Sequence, residues 1–157
     1  MTEAAARIRD ARPDDFARVA ELLADNSLPL DGVPQSLSGF LVAEAGARII
    51  GVAGVEDCGE YGLLRSAAVS QDARNRGTGR RLIERLIANA KEDGRRGLFL
   101  LTTTAANYFP VFGFVEASRD SVPDTVRTTK EFAEACPASA TVMKLDFARQ
   151  NTTARVR

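Results

Sequence analysis

Arg74-Asn75-Arg76-Gly77-Thr78-Gly79 is the stretch whose residue types and spacing point most directly to chemistry. The apolar run Leu63 to Val69 precedes it, and Leu82, Ile83, Leu86, Ile87 and Ala90 follow at helical spacing. Two glycines therefore fall where a strand must turn sharply into a helix. Such a turn presents successive backbone N–H groups at a helix N-terminus, a seat for phosphate. Arg74, Arg76 and Arg80 add positive charge at the same place. The chemistry expected of this loop is capture of the anionic part of a nucleotide-type cofactor.

The remaining chemistry is narrowed by what the chain lacks. Among its 157 residues there is no histidine, which excludes Ser-His-Asp and Cys-His arrangements and every histidine-ligated zinc site. A general base must be a carboxylate, a tyrosine, a lysine or a relayed water. Two cysteines, Cys58 and Cys136, are too few for a disulfide framework or a cysteine metal cluster, so no metal is expected. With no histidine to activate it, Cys136 is a poor nucleophile. Lys plus Arg and Asp plus Glu each number 21, so the basic excess usual in a nucleic-acid binder is missing. No apolar run reaches the roughly 18 residues of a membrane span, and Met1 to Arg12 lacks the apolar segment of a secretory signal. The expected compartment is the cytoplasm, with neither nucleic acid nor membrane as a partner.

The elements that must position these residues follow from periodicity and turn signals. Ala6 to Ala11 reads as a strand, and Pro13-Asp14-Asp15 as the start of a helix burying Phe16, Val19, Ala20 and Leu23. Asn26 to Ser38, with Pro29, Gly32 and Pro34, reads as a mobile rim containing a short helix near Pro34 to Ser38. Phe40 to Ala45 and Ile49 to Val55 form a hairpin through Gly46, and Tyr61 to Val69 lies beside it. The long helix stops at Asp93-Gly94. Gly97 to Thr104 is a central strand, Ala105 to Phe112 a short helix bent at Pro110, and Gly113 to Glu116 a strand. Between Asp120 and Pro137, Thr128 or Thr129 is expected to cap a helical segment; Ala140 to Phe147 is the last strand. Hairpins early and helical connections late predict a mixed sheet.

This order, with Arg-x-x-Gly-x-Gly between a central strand and a long helix, resembles the GNAT acetyltransferases. The likeness covers Ile8 to Phe147. A second mark is Ala105-Ala106-Asn107-Tyr108-Phe109-Pro110-Val111-Phe112-Gly113-Phe114, similar to the family's C-terminal helix ending in Gly-Phe. The resemblance implies an α/β (α+β) fold, with a mixed, mostly antiparallel, twisted sheet of about six to seven strands, splayed near the middle and flanked by helices. Length fits one domain, over residues 1–148, and 149–157, without periodicity, reads as a disordered tail; the resemblance implies a homodimer as the assembly. Its implied cofactor is acetyl-coenzyme A. Arg74, Asn75, Arg76, Gly77, Thr78, Gly79 and Arg80 would hold the pyrophosphate, and Ala67, Ala68 and Val69 would pair with the pantetheine arm beside a bulge near Ser66. A narrower likeness, through Leu64-Arg65-Ser66, Leu101-Thr102-Thr103-Thr104, Tyr108-Phe109 and Cys136-Pro137-Ala138-Ser139-Ala140, is to the arsenic-resistance (arsinothricin-type) N-acetyltransferases. The Leu-Thr-Thr segment and the aromatic pair also resemble the acetyltransferase domain of N-acetylglutamate synthase. Together these imply acetylation of the α-amino group of a small glutamate-like amino acid, arsinothricin or phosphinothricin. The alternatives are glutamate acetylation for arginine biosynthesis and a non-catalytic acetyl-coenzyme A sensor.

Acetyl transfer needs a neutral amine, a route for its proton and a donor for the developing negative charge. Many family members carry a tyrosine acid four residues before the Gly-Phe glycine. Here Phe109 stands there and Tyr108 one residue earlier, turned by about 100° on a helix. Tyr108 is either the acid or a packing residue against the cofactor. Glu56 is the candidate general base, or else a solvated hairpin charge. Arg65, a cation in an apolar strand, needs an anionic partner, either substrate or a structural Glu56 or Glu60. Ser66 bonds substrate or satisfies the bulge. Thr102, Asn107 and Phe109 are candidate cofactor contacts; Thr102 to Thr104 otherwise cap the next helix. Thr103, Arg127 and Ser139 are candidate substrate contacts, against solvated or turn roles.

Overall fold

The computed structural model describes residues 6–135 and 139–147. Cys136, Pro137, Ala138 and the tail beyond Phe147 lie outside them. Seven strands form one mixed sheet in the order β1-β2-β3-β4-β5-β7-β6. The described chain divides into two compact units. One comprises the described residues up to Val55 together with Arg65–Leu86; the other comprises Glu56–Leu64 and the described residues from Ile87 onward.

In the first unit, β1 (Arg7–Asp10) pairs antiparallel with β2 (Phe40–Ala45), which pairs antiparallel with β3 (Arg48–Cys58). The β2–β3 turn uses Gly46 at φ +63, the left-handed region that glycine enters without strain. A 3-10 turn over Pro13–Asp15 leads into α1 (Phe16–Asp25). Proline suits this entry because the first turn of a helix has no use for its missing N–H. The apolar spacing of α1 buries Val19, Leu22 and Leu23 in a cluster with Leu37, Phe40, Val42, Val52 and Ala68. Each such leucine contributes about 2 kcal/mol by leaving water. β4 (Tyr61–Val69) leads through a 3-10 turn, Gln71–Ala73, to the loop before α2 (Thr78–Glu92). The first turn of α2 rests on Gly51 of β3: a Cβ there would sit 3.0 Å from Leu82 and 3.2 Å from Thr78.

In the second unit, Tyr61–Leu63 of β4 pair in parallel with Gly97–Phe99 of β5 (Gly97–Thr102). That ladder extends no further among the described residues, although β4 runs on to Val69 and β5 to Thr102. β7 (Thr141–Asp146) lies antiparallel between β5 and the short β6 (Val115–Glu116). Leu98, Phe99 and Leu100 are buried, as expected of a central strand. Helix α2 ends where Gly94 takes φ +80, and the N–H groups of Gly94 and Arg95 return to Lys91 O and Ala90 O at 3.1 Å. This is the double closure that a C-terminal glycine permits. A second cluster joins Cys58, Leu63, Phe99, Val122, Val126 and Val142.

Several sequence expectations change. Pro34–Ser38 is not helical but a run of turns, with Leu37 N donating to Pro34 O and Phe40 N to Leu37 O, each at 3.0 Å. Leu37 takes φ +58 and is 1% exposed, so tertiary burial overrides the local preference. Leu37 places the end of the rim in the core. β5 stops at Thr102 rather than Thr104, because Thr102 Oγ1 accepts from Ala105 N at 2.9 Å and turns the chain. Ala105–Phe112 yields only a 3-10 turn, Phe109–Phe112, ended by Gly113 at φ +103. Pro110 cannot donate to a longer helix. The cap expected at Thr128 or Thr129 falls on Thr129. Its Oγ1 accepts from Phe132 N at 3.2 Å, at the entry to a π-helical turn, Glu131–Ala135. The short helix α3 (Asp124–Arg127) precedes it.

Candidate active site

The loop before α2 has the backbone form that its sequence requires. Asn75 takes φ +68 and Gly77 φ +81, so the chain doubles back twice before the helix begins. Asparagine and glycine are the residues that tolerate this region. The helical ladder starts with Arg81 N donating to Gly77 O at 3.0 Å. The preceding N–H groups of Thr78, Gly79 and Arg80 therefore have no intrahelical acceptor four residues back, and they point toward the loop. A Cβ on Gly77 would meet nothing within 4 Å, so the space over the loop is open. The Thr78 side chain is buried, fixing the helix end on the sheet. Backbone donors, a positive dipole end and open space fit a pyrophosphate.

The three arginines are less uniform than their spacing suggests. Arg80 pairs along the helix with Glu84 at 3.1 Å, an exposed bond that contributes little. Arg76 donates to Asp72 O at 3.1 Å. Arg74 donates from Nε to Val69 O at 3.2 Å and from Nη2 to Asn26 Oδ1. Arg74 thus links the end of β4, the loop before α2 and the rim. Asn26 was not legible as a site residue, since only the fold brings it 48 positions back to Arg74. Just ahead of the loop, Arg48 and Ser70 hold the Asp72 carboxyl down at about 2.

Strand β4 carries the candidate acceptor residues. Arg65 is 3% exposed and Ser66 8%. Ser66 takes φ +60, the kink expected of a bulge near that position. Arg65 Nε donates to Ser66 Oγ at 3.1 Å, and Nη2 to Asp31 O at 2.6 Å. The burial of the strand is continuous from Gly62 to Ser66 and broken at Ala67, which is exposed, while Ala68 is buried and Val69 half-buried. Ala67 to Val69 therefore offer an extended backbone next to the kink. Of the two structural carboxylates weighed for Arg65, Glu60 instead pairs with Arg96 at 3.2 Å.

The remaining candidates belong to the second unit. Thr102 spends its hydroxyl on Ala105 N, and Thr103 and Asn107 are exposed. Tyr108 is 42% exposed and meets Phe109 and Phe112 edge-on, with ring centroids 5.2 and 5.4 Å away. Phe109 is buried and packs on Phe114 at 5.9 Å. The inward position is the phenylalanine's, and the hydroxyl-bearing ring stands at the surface. Glu56 is half-buried on β3. Arg127 is exposed at the end of α3, and Ser139 is exposed in the turn before β7. Burial pushes the Cys58 thiol up to about 11, so it is no nucleophile.

Residues 36–116 match the model of the acetyltransferase (GNAT) domain. The chain is 32% identical over 137 residues to an amino-acid acetyltransferase of Neisseria meningitidis serogroup A, covering 80% of this chain and 31% of that protein. It therefore spans about a third of the length of that relative. Among solved structures, N-acetylglutamate synthase from Neisseria gonorrhoeae, complexed with coenzyme A and N-acetyl-glutamate, superposes with a TM-score of 0.78. The identity is 25%, over 92% of this chain and 36% of that one. A Mycobacterium tuberculosis protein in complex with coenzyme A shares the fold at a TM-score of 0.74 and 20% identity, over 89% of this chain and 98% of that one.

Proposed function

Because the chain belongs to the GNAT acetyltransferase family, we propose that it transfers an acetyl group from acetyl-coenzyme A to the α-amino group of a small glutamate-like amino acid. The observation that carries this reading is the buried Arg65 on β4, the strand that leads through a 3-10 turn to the loop whose backbone is shaped for a pyrophosphate. A guanidinium beside the kink suits an acidic acceptor, and the similarity to amino-acid acetyltransferases supports the same class. Two members of that class are proposed. Glutamate itself is favoured by the likeness to N-acetylglutamate synthase. Arsinothricin or phosphinothricin, a detoxification role, rests on the segments Leu64-Arg65-Ser66 and Leu101 to Thr104.

In this reading the backbone of Arg74 to Gly79 holds the pyrophosphate, with Arg80 adding charge, and Ala67 to Val69 pair with the pantetheine arm. Thr102, Asn107 and Phe109 contribute further cofactor contacts. Arg65, Ser66, Thr103, Arg127 and Ser139 orient the acceptor. Acetyl-coenzyme A supplies an activated thioester. The acceptor nitrogen forms a bond to the acetyl carbon as the carbon–sulfur bond breaks. Glu56, through water, takes the amine proton, and Tyr108 supplies one to the departing thiolate. The domain is residues 1–148, a homodimer its assembly and the cytoplasm its compartment. No helix among the described residues is long and apolar enough to cross a membrane.

The deciding measurement is coenzyme A thiol release with glutamate, phosphinothricin and arsinothricin in competition. A clear preference for one names the acceptor. Very poor turnover of all three would reject the glutamate-like class. Cofactor binding with no release for any amino acid would favour an acetyl-coenzyme A sensor, the reading that Tyr108 at the surface keeps open.

A further inference from the structure

The rim between α1 and β2 contains one turn with an orientation that matters to β4. Val33 N donates to Leu30 O at 3.0 Å, closing a four-residue turn over Leu30-Asp31-Gly32-Val33. Gly32 takes φ +81, and Asp31 keeps a negative φ. A negative φ followed by a positive one defines a type II turn, whose third position requires glycine or, less well, asparagine. Types I and II differ chiefly in the middle peptide. Passing from II to I changes ψ of the second residue by about 150° and φ of the third by about 170°, which reverses that peptide plane. The carbonyl on this plane belongs to Asp31, and it is the oxygen that accepts from Arg65 Nη2 at 2.6 Å. In a type I turn the Gly32 N–H would face the cation instead.

We infer that Gly32 is a positioning residue for acceptor recognition, because its left-handed conformation aims the Asp31 carbonyl at Arg65 and so sets the direction of the buried guanidinium. The inference rests on the reading of Arg65 as the acceptor clamp. The guanidinium is held from two sides. Ser66 Oγ takes Nε from within β4, and the Asp31 carbonyl takes Nη2 from the rim. The rim is itself placed by the core, since Leu37 is buried and Leu28 and Val33 pack against the same cluster. A bidentate contact between arginine and a carboxylate depends on the plane of the fork, so a rotated guanidinium loses acceptor affinity without losing its charge. Gly32 is exposed, and its role comes from backbone conformation rather than from packing.

The test compares Gly32→Ala, Gly32→Asn and Arg65→Ala in the full chain, with L-glutamate as acceptor. Gly32→Ala is expected to raise the glutamate KM about tenfold, the scale of one hydrogen bond to a charged group, with the acetyl-coenzyme A KM unchanged and the Tm somewhat lowered, because the buried guanidinium loses one acceptor. Gly32→Asn, which tolerates positive φ, is expected to stay close to the wild type. A second readout needs no turnover: the Arg65 Nε–H resonance in 15N-arginine-labelled protein, assigned as the signal missing from Arg65→Lys. It should move in Gly32→Ala and stay in Gly32→Asn. A resonance unmoved in Gly32→Ala, or equal effects of alanine and asparagine on the glutamate KM, would overturn the inference alone. An unchanged glutamate KM in Arg65→Ala would overturn the clamp reading and this inference with it.

Discussion

Arg65 shows how much one side chain can decide. A guanidinium that is 3% exposed survives only with its donors satisfied, and two of them go to Ser66 Oγ and the Asp31 carbonyl. Replacing Arg65 by Ala should raise the KM of the amino-acid acceptor at least about tenfold and leave that of acetyl-coenzyme A near its original value. Initial rates with each substrate varied in turn would show it; the reverse pattern would make Arg65 a scaffold residue. Tyr108 poses a different question. The buried ring of the pair is Phe109, while Tyr108 is 42% exposed. If its hydroxyl protonates the thiolate, Tyr108→Phe lowers kcat about 100-fold with little change in either KM. A kcat that stays level would mean that the thiolate leaves without help from this residue.

At the level of elements, the loop proposed to hold the pyrophosphate depends on how α2 is seated. Thr78 and Leu82 lie so close over Gly51 that no side chain fits beneath them without displacement. Gly51→Val is therefore expected to lift the first turn of α2, weakening coenzyme A binding and lowering the Tm together. Gly77→Val acts on the other side of the same turn. It introduces no internal clash, but valine is strained at φ +81 and its methyl groups would occupy the open space above the loop. Calorimetry should show coenzyme A affinity lost with a smaller change in Tm than for Gly51→Val. Affinity unchanged in Gly77→Val would refute the loop as the cofactor seat. The same logic of close approach appears in the second unit at Gly97, where any Cβ would strike the Leu145 carbonyl oxygen.

For the molecule as a whole, acid sensitivity is built into the first unit. Arg9 grips Asp15 with two bonds, of 2.9 and 3.0 Å, and Glu44 at 3.2 Å, while Arg18 adds a fourth contact at 2.9 Å. The Arg9 bonds, with help from the Arg12 N–H, hold the Asp15 carboxyl at about 2 against an ordinary 3.8. A folded value below the unfolded one means stability that is complete above about 3.8 and is lost as pH falls through about 2. Melting curves of the wild type should therefore drop between those values. Asp15→Asn should lower the Tm already at pH 7 and show a shallower fall in acid; an equal fall in both proteins would assign the acid transition to other carboxylates.

The sequence by itself determined the strands and helices whose periodicity and turn residues agree. Tyr61–Val69, the α2 stripe from Leu82 to Ala90, and the Gly46 and Gly94 turns are local facts of spacing and backbone freedom. The backbone form of the Arg74 to Gly79 loop was legible for the same reason, since it depends on six adjacent residues. Tertiary structure alone decided the rest. Burial of Leu37 replaced a short helix with turns, and Pro110 with Gly113 reduced another to a single 3-10 turn. The contacts of Arg65 with Asp31 and of Arg74 with Asn26 join residues 34 and 48 positions apart. No periodicity encodes such pairings, because they arise only when the sheet has set β4 and the rim side by side. The residues proposed to bind the cofactor could thus be read along the chain, whereas the groups that orient the proposed acceptor clamp could be read only from the fold.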